Sequence, residues 1–230
     1  MPTLTLTLNR NGRTEPVRYE ARRLINAGFT GRDRAAVEAH IEELRRHGVP
    51  CPDETPVLYP KMASLITTAD EVEVIGPDTS GEAEFVLLLD AGRVLVGTGS
   101  DHTDRELEKT TIEKAKVVCP NVLSSEVWDL ADVRKDWDDL VLRSWATSGG
   151  TRTLYQESRL AQMMTPEDLI ALVKERAGAE PGLVIYSGTL ALVGGTLICG
   201  ERFEVELTDE RHGRALRCSY RVRPIAGVKA

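Results

Sequence analysis

Short strand-like segments, separated by turn-forming residues, recur along most of the chain. Residues 3–8 alternate threonine and leucine, which is the period of a strand with one buried face, and Asn11-Gly12 then favours a tight hairpin turn. Residues 57–98 and 182–222 contain further apolar or alternating segments that end at turns rich in glycine or aspartate. This pattern predicts a fold in which sheets dominate and helices are few.

Two segments have helical signals instead. One helix is predicted over residues 33–47, with Asp33 as its N-cap and Gly48 after its end. The other starts at Thr165-Pro166, a cap followed by proline in the first turn, and stops at Gly178. Both helices lie between groups of predicted strands.

Two further segments are less regular. Residues 103–115 are predicted to form a charged helix, and residues 121–145, rich in aspartate and tryptophan, are predicted to form helices with irregular pieces. The order of elements predicts an α+β fold that is predominantly β. We expect residues 1–28 to form a small N-terminal β element and residues 29–230 to form the main domain.

The composition restricts the class of protein. The 230 residues carry 29 Lys+Arg against 36 Asp+Glu, a formal net charge of −7, so no general affinity for nucleic acid or anionic membranes is expected. The longest apolar segments are too short to span a bilayer, and the N-terminus lacks the apolar block of a signal peptide. The four cysteines are scattered without a C-x-x-C motif, which indicates reduced thiols and a cytoplasmic protein.

Three carboxylates are candidates for a metal site. Glu82 and Glu84 are two positions apart at the start of a predicted strand, so their side chains project to the same side. Asp101 follows the next strand, and a turn at residues 90–92 can bring it back towards them. Such oxygen ligands suit Mg²⁺ or Mn²⁺, and also Ca²⁺. The alternative is a solvated strand end, since the same E-x-E spacing recurs at residues 71–73.

A histidine and a glutamate on the first predicted helix form a candidate general base. His40 and Glu43 are three positions apart, so the carboxylate can orient the imidazole and raise its basicity towards a water molecule. The alternative is a packed histidine beside an ordinary surface glutamate. His47, near the end of the helix, is interpreted as a partner of the helix dipole.

Two cations and one turn complete the set of candidates. Arg105 and Lys116 follow the carboxylates in the chain, and each either serves the chemistry or is a solvated surface charge. Gly188-Thr189 is a small-residue turn that can present backbone N–H groups to a carboxylate or simply reverse the chain. The sequence contains neither a nucleophile elbow in a Ser-His-Asp order nor the Lys-Ser/Thr of a phosphate-binding loop.

Seven motifs follow one another along the chain: GRD (31–33) with HIEE (40–43), PVLYPK (56–61) with SLI (64–66), GEAE (81–84), GTGSDHTDR (97–105), KAK (114–116) with CP (119–120), GLVIYSGT (182–189) and GERFEVE (200–206). In this order they resemble the motifs of the fumarylacetoacetate hydrolase superfamily, and the resemblance covers roughly residues 26–224. The departures are a short segment between the second and third metal candidates, Leu190 in place of a proline, and acidic residues on both sides of Arg105. They change the pocket wall and indicate a separate bacterial branch.

The resemblance implies a mixed β-roll core of the fumarylacetoacetate hydrolase C-terminal-domain type, a homodimer, a divalent metal ion and a small-molecule 2-oxo acid substrate. It assigns the metal to Glu82, Glu84 and Asp101, catalysis to His40, Glu43 and Lys116, and substrate binding to Arg32, Lys61, Arg105, Gly188 and Thr189. In these roles His40 activates water and Lys116 stabilises negative charge, while Arg105 holds a substrate carboxylate or orders the metal shell.

Three functions are compatible with these assignments. The first is a metal-dependent hydrolase of catabolism that cleaves a C–C bond in an acylpyruvate-like 2,4-dioxo acid. The second is a lyase on a 2-oxo acid, either an oxaloacetate-type decarboxylase or a hydratase/dehydratase. Decarboxylation needs no attacking water, so the His40–Glu43 pair favours hydrolysis. The third is a non-catalytic, ligand-binding relic of the fold, against which the three carboxylates and Lys116 argue.

Overall fold

A computed structural model describes residues 1–10, 12–46, 51–52 and 54–225, without the side chains of residues 40 and 43–45. The strands are β1 (Thr3–Arg10), β2 (Arg13–Glu20), β3 (Arg23–Gly28), β4 (Val57–Lys61), β5 (Ile66–Thr67), β6 (Glu71–Val74), β7 (Thr79–Ser80), β8 (Ala83–Asp90), β9 (Arg93–Asp101), β10 (Thr103–Asp104), β11 (Asn121–Leu123), β12 (Glu126–Asp129), β13 (Val141–Ser148), β14 (Thr151–Arg159), β15 (Leu183–Tyr186), β16 (Arg202–Asp209) and β17 (Arg214–Pro224).

The helices are short and few compared with the strands. They are α1 (Arg34–Arg46), α2 (Arg105–Glu108), α3 (Ile112–Val117), α4 (Leu130–Val133) and α5 (Pro166–Ala177), with 3₁₀ turns at Ala63–Leu65, Arg134–Asp139, Leu160–Gln162 and Val193–Gly195. The predicted α+β class with predominant strands is therefore confirmed. No helix in the described ranges is both long and apolar enough to cross a membrane.

The larger sheet has ten strands and carries the centre of the fold. Its main path runs β2-β1-β12-β9-β8-β15-β3-β4, and β11 joins it by pairing with β9 and with β5. β8 is buried on both faces, which explains its almost continuous apolar sequence. Phe85 and Leu87 belong to one core cluster, whereas Val86 and Leu88 belong to a second cluster that includes residues of β1 and β2.

A second sheet of five strands, in the order β14-β13-β16-β17-β6, covers one face of the first. Leu142, Leu207 and Tyr220 from this sheet lie in the same core cluster as Phe85 of β8. α5 contributes to that cluster through Leu169 and other buried residues. β7 and β10 form a separate two-stranded ribbon. The two sheets thus share one apolar core.

The N-terminal segment is part of the larger sheet. β1 and β2 form the predicted hairpin, in which Arg10 pairs with Arg13. β1 also runs parallel to β12, and β3 runs parallel to β15. The division of the chain into a small β element and a catalytic domain at residue 28 remains a prediction.

Both helices with clear capping signals are confirmed. α1 begins after Asp33, whose Oδ1 accepts two backbone N–H groups of the first turn at 3.0 and 3.1 Å. The predicted stop at Gly48 lies outside the described residues. α5 begins after Thr165, whose hydroxyl accepts an N–H from its first turn, and it ends before Gly178, which has φ = 74°.

The two less regular segments were predicted wrongly in detail. Residues 103–115 form β10, α2 and the start of α3 in place of one helix. Residues 121–145 contain β11, β12 and the start of β13, with helical turns only between the last two. β11 and β12 both pair with β9, and β10 pairs with β7, so pairing with distant strands overrides the local preference of these segments.

Candidate metal centre

The β8–β9 hairpin brings the three predicted ligands together. Its register aligns Glu84 with Gly99, and the N–H of Asp101 donates to the carbonyl of Glu82 at 3.1 Å. One carboxylate oxygen from each of the three acids lies within 4.8 Å of the others. Hard divalent ions bind oxygens at about 2.0–2.6 Å, so oxygens up to about 5 Å apart can share one ion.

Gly99 allows a third strand to approach this hairpin. A Cβ at Gly99 would lie 2.2 Å from the carbonyl oxygen of Val122, a contact that no side chain tolerates. β11 therefore pairs closely with β9 and aligns Asn121 with Asp101. The amide of Asn121 donates to the buried amide of Asn26 at 2.9 Å. The end of β9, where Asp101 lies, is thereby fixed on its β11 side.

Asp101 accepts hydrogen bonds from two lysines. Nζ of Lys116, in α3, lies 2.7 Å from Oδ2 of Asp101 and 2.7 Å from Oε2 of Glu82. Nζ of Lys61, at the end of β4, lies 3.2 Å from Oδ1 of Asp101 and 3.0 Å from the carbonyl of Cys119. The side chain of Lys61 has no solvent exposure, and its ammonium group contacts both Asp101 and the carbonyl of Cys119. The side chain of Lys116 is 8% exposed and can reach a bound ligand.

Arg105, the first residue of α2, binds Glu82. Its Nη1 lies 2.9 Å from Oε1 of Glu82 and 2.8 Å from Oε2 of Glu108, and its Nε lies 2.7 Å from Oγ of Ser80. Its Nη2 makes no hydrogen bond with any of the described residues. Arg105 therefore both orients Glu82 and retains a donor for an anionic ligand.

The charged groups of this centre strongly shift one another's pKa values. Burial alone would raise the pKa of Glu82, but the cations of Lys116 and Arg105 outweigh burial and lower that pKa to about 2. Burial and the carboxylate of Asp101 raise the pKa of Glu84 well above its usual range. Burial opposes the charge of Lys116, yet Asp101 and Glu82 raise its pKa, so Lys116 is a cation at neutral pH. Crowded acids of this kind are what a divalent cation neutralises, so the centre fits a metal ion.

The Gly188-Thr189 turn contacts Glu84, the second candidate metal ligand. The N–H of Gly188 donates to Oε2 of Glu84 at 2.7 Å. Gly188 has φ = 87°, and a Cβ there would lie 2.5 Å from Oγ1 of Thr30, so the turn requires glycine. The hydroxyl of Thr189 accepts a 2.7 Å hydrogen bond from Gln156. The turn is thereby fixed beside Glu84, with Thr189 exposed.

A chain of buried hydrogen bonds reaches the backbone of Glu82. Oγ of Ser100 accepts from the N–H of Glu82 at 3.2 Å and from the hydroxyl of Tyr220 at 2.8 Å. Nδ1 of His102 lies 2.8 Å from Oη of Tyr220, and its Nε2 lies 2.9 Å from Oγ1 of Thr79. Burial, together with a neighbouring guanidinium, lowers the pKa of His102 to about 3, so the ring is neutral at pH 7.

The other predicted residues lie outside these contacts or are not described. Arg32 forms a bidentate ion pair with Asp138, with two N–O distances of 2.8 Å, and its Nε donates to the carbonyl of Met163 at 3.0 Å. His40 and Glu43 belong to α1, but their side chains lie outside the described part of the chain. Their pairing, and the substrate-binding role of Arg32, remain predictions.

Sequence patterns missed the residues that support the centre. Gln156 and Tyr220 belong to none of the motifs, and Ser100 lies within the motif at residues 97–105 without an assigned role, because the partners of all three are distant in the chain. His102 had one available signal, its position directly after Asp101. Polar residues in otherwise apolar strands were the general clue, since buried polar groups require partners.

Fold and site together define a two-sheet α+β protein with a candidate centre for a divalent metal. The chain belongs to the family described as "protein of unknown function (DUF2848)", which matches residues 27–220. The match extends from β3 into β17 and includes all three carboxylates of the centre. No curated protein sequence matches the chain.

The fold is similar to that of several solved structures. A hexagonal crystal form of 2-keto-3-deoxyarabinonate dehydratase matches with a TM-score of 0.66 and 14% identity, over 94% of this chain and 87% of that chain. 2-Keto-3-deoxy-D-arabinonate dehydratase complexed with magnesium and 2,5-dioxopentanoate matches with a TM-score of 0.66 and 12% identity, over 94% of this chain and 86% of that chain. Cg1458 with an inhibitor matches with a TM-score of 0.65 and 16% identity, over 93% of this chain and 84% of that chain. At these identities the likeness establishes a shared fold.

Proposed function

We propose that the protein is a divalent-metal-dependent lyase that acts on a small 2-oxo acid. The observation that carries the proposal is the cluster of Glu82, Glu84 and Asp101, with Nζ of Lys116 lying 2.7 Å from two of its members. The fold shared with 2-keto-3-deoxy-D-arabinonate dehydratase, a structure of which contains magnesium and 2,5-dioxopentanoate, favours dehydration as the reaction.

Glu82, Glu84 and Asp101 would hold Mg²⁺ or Mn²⁺, and Ca²⁺ would also fit their oxygens. An ion held by these three carboxylates would supply Lewis acidity, which would make the C–H bond next to the keto group of a 2-oxo acid more acidic. Lys61 keeps Asp101 oriented, and the N–H of Gly188 does the same for Glu84. These supports fix the ligands before substrate arrives, which reduces the cost of reorganisation during the reaction.

Lys116, Arg105 and Thr189 would face the substrate. Lys116 is protonated at neutral pH and stabilises negative charge that develops on a substrate oxygen. Nη2 of Arg105 is available to a carboxylate of the substrate, because its Nη1 and Nε are bound to protein groups. Thr189 is exposed beside Glu84 and offers the backbone N–H of the predicted carboxylate-binding turn.

Dehydration of a 2-oxo acid with a hydroxyl group on C4 requires a group that moves a proton. The C3–H bond breaks, its electrons form the C3=C4 double bond, and the C4–O bond breaks. We propose that His40, oriented by Glu43, takes the proton from C3 and delivers it to the departing hydroxyl. One water molecule leaves and His40 returns to its starting state, so protons and electrons balance.

A hydrolase is the second candidate function. The observation in its favour is the His40-x-x-Glu43 spacing on α1, because such a pair is suited to activating water. The substrate would be an acylpyruvate-like 2,4-dioxo acid, with water attacking the distal carbonyl and the C3–C4 bond breaking. Oxaloacetate-type decarboxylation would need the metal and Lys116 but no base.

Metal binding and a substrate panel test the proposal. The parent protein should bind Mg²⁺ or Mn²⁺ in calorimetry and should convert a 2-keto-3-deoxy sugar acid, with the dehydrated product identified by NMR. Glu82→Gln should abolish both properties, whereas Glu73→Gln, at the exposed second glutamate of the E-x-E of β6, should retain both. Cleavage of acylpyruvates in place of dehydration would select the hydrolase. A parent that binds no divalent ion would overturn the metal centre.

The role of His40 is tested separately from the metal. His40→Ala should lose turnover by roughly 10²–10⁴ while keeping metal affinity, because it is not among the proposed ligands. The matched control is Glu38→Ala, an exposed residue of the same helix, which should remain active. Full activity of His40→Ala on every substrate converted by the parent would remove His40 from the mechanism and make His47 the next residue to test.

We further propose that the chain is a cytoplasmic homodimer of the fumarylacetoacetate hydrolase superfamily with its mixed β-roll core. The support is the order of the seven sequence motifs together with the fold shared with the dehydratase. Light scattering at micromolar concentration should give about twice the chain mass of 25.3 kDa. A clean monomer would refute the dimer without affecting the metal centre.

A further inference from the structure

We propose that Tyr220 and His102 are positioning residues for the metal centre, and that they act on Glu82 through the hydroxyl of Ser100. The inference rests on the proposed function in one respect, namely that Glu82 binds a divalent ion. It concerns a set of buried polar residues that the sequence motifs did not single out.

A continuous path of hydrogen bonds runs from the second sheet to Glu82, one of the candidate metal ligands. Tyr220 lies on β17, and its hydroxyl donates to Oγ of Ser100 on β9 at 2.8 Å. The same Oγ accepts the N–H of Glu82 at 3.2 Å. Glu82 lies one residue before β8, so the hydroxyl of Ser100 replaces the partner that a longer strand ladder would have supplied.

His102 fixes the tyrosine in turn. Its Nδ1 lies 2.8 Å from Oη of Tyr220, and its Nε2 lies 2.9 Å from Oγ1 of Thr79. Because the hydroxyl of Tyr220 donates to Ser100, the geometry assigns the ring proton to Nδ1, with Nε2 accepting from Thr79. Both ring nitrogens of His102 and the hydroxyl of Tyr220 then have defined roles as donor or acceptor.

Because this path of hydrogen bonds is buried, a change at one of its residues should displace the next. Tyr220 and Ser100 have no solvent exposure, and His102 is 1% exposed. A buried hydroxyl that loses its partner cannot turn to water, so removing one member displaces its neighbours. Loss of the Tyr220 hydroxyl would leave Ser100 free to rotate away from the N–H of Glu82. The backbone of Glu82, which carries its carboxylate towards Glu84, would then lose one of its two constraints, the other being the bond from the N–H of Asp101.

The effect should appear in metal affinity. Groups that orient metal ligands typically contribute 10–100-fold to metal affinity. A purely structural role for Tyr220, as packing between the two sheets, would change stability and leave affinity for the ion untouched. The two roles are therefore separable by measuring both quantities on the same variants.

The experiment compares two buried tyrosines. Tyr220→Phe keeps the ring and removes the hydroxyl, and we expect its Mn²⁺ affinity in calorimetry to fall about tenfold or more. Tyr19→Phe is the matched control, because Tyr19 is buried and its hydroxyl donates to the carbonyls of Leu89 and Leu183, away from Glu82. Tyr19→Phe should lower the melting temperature and bind Mn²⁺ like the parent.

A second variant tests the route through the serine. Ser100→Ala should weaken Mn²⁺ binding to a similar extent, and the double variant with Tyr220→Phe should be no weaker than the worse single variant, because both changes interrupt one path. If Tyr220→Phe does not fold, the loss of Mn²⁺ affinity in Ser100→Ala alone decides.

The outcomes separate this inference from the proposed function. Parent-like Mn²⁺ affinity in Tyr220→Phe, or in Ser100→Ala where the first does not fold, would overturn the positioning role while leaving the metal centre standing. Additive losses in the double variant would overturn the shared path. A parent protein without Mn²⁺ affinity would overturn both the metal centre and the inference.

Discussion

Nζ of Lys116 lies 2.7 Å from Oδ2 of Asp101, although 15 positions separate the two residues in the chain. The same ammonium lies 2.7 Å from Glu82, so one cation contacts two of the three proposed metal ligands. Lys61 and Arg105 add two further cations to the same carboxylates. We therefore expect the affinity of the proposed centre for a divalent ion to depend on the balance between its three carboxylates and these three cations.

Lys116→Met should strengthen metal binding and weaken catalysis. Removing a cation next to two ligand carboxylates removes repulsion of the metal, which between unit charges 4 Å apart amounts to about 4 kcal/mol at an effective dielectric constant of 20. We expect the affinity for Mg²⁺ to rise at least tenfold in calorimetry, while turnover falls by roughly 10²–10³ because a charge that stabilises the reaction is lost. Lys114→Met, exposed on the same helix, should change neither. Weaker metal binding in Lys116→Met would contradict this balance.

Gly188→Ala should damage both the turn and the centre. The residue has φ = 87°, and the new Cβ would meet Oγ1 of Thr30 at 2.5 Å, so we expect a loss of about 1–3 kcal/mol in unfolding free energy. The N–H that binds Glu84 would move with the backbone, and metal affinity would fall. Gly195→Ala is the matched control, because its φ is 69° with no atom within 4 Å of the new Cβ. It should lose some stability and keep its metal affinity.

The strands with a regular pattern were the predictable part of the fold. Residues 3–8 form most of β1, and the apolar run from residue 85 forms the centre of β8. Both patterns reflect burial, on one face for β1 and on both faces for β8. The segment 121–145 was mispredicted, because β11 and β12 are strands only through the edges that other strands offer them. The local sequence does not indicate which strands will become the partners of a segment.

The candidate site likewise has a part that the sequence predicts and a part that it does not. Glu82, Glu84 and Asp101 could be brought together from the sequence, because a single hairpin with a two-residue side-chain period relates them. The contact of Tyr220 with Ser100 spans 120 positions and joins two sheets, so only the assembled fold reveals it. Gln156 is similar, since it binds Thr189 from β14. Resemblance to a family supplied roles for ligands and left their supporting residues unassigned.

Asp209 should make the stability of the protein dependent on acid pH. Burial would raise the pKa of Asp209, but hydrogen bonds from Arg214 and His212 outweigh burial and lower it. A carboxyl whose pKa is lowered in the folded state stabilises the fold above its unfolded pKa, about 3.9, and loses that contribution as the pH falls through the folded pKa. Asp209→Asn should therefore melt at a lower temperature than the parent at pH 7.

The check is a series of melting temperatures from pH 7 to pH 3. The difference between the parent and Asp209→Asn should be constant down to about pH 4 and should shrink below it. Asp70→Asn, at an exposed position, should follow the parent throughout. A difference that grows towards pH 3 would contradict the sign of the shift.

Arg32 offers a test between anchoring and substrate binding. Its bidentate pair with Asp138 ties the segment before α1 to the helical turn at residues 134–139, and its bond to the carbonyl of Met163 adds a second attachment. Both side chains are partly exposed, at 37% and 56%, so the pair should contribute about 1 kcal/mol or less to stability. On this geometry, Arg32→Gln and Asp138→Asn should have equal effects on stability and turnover, and the double variant should add nothing further.

The contrasting result is equally clear. A substrate-binding Arg32 would raise the KM for the 2-oxo acid in Arg32→Gln alone, because Asp138 carries the wrong charge to bind such a substrate. Steady-state kinetics on the two single variants and the double variant distinguish the cases, with the melting temperature recorded for each. Equal losses in kcat without a change in KM would place Arg32 among the residues that position α1, and with it His40.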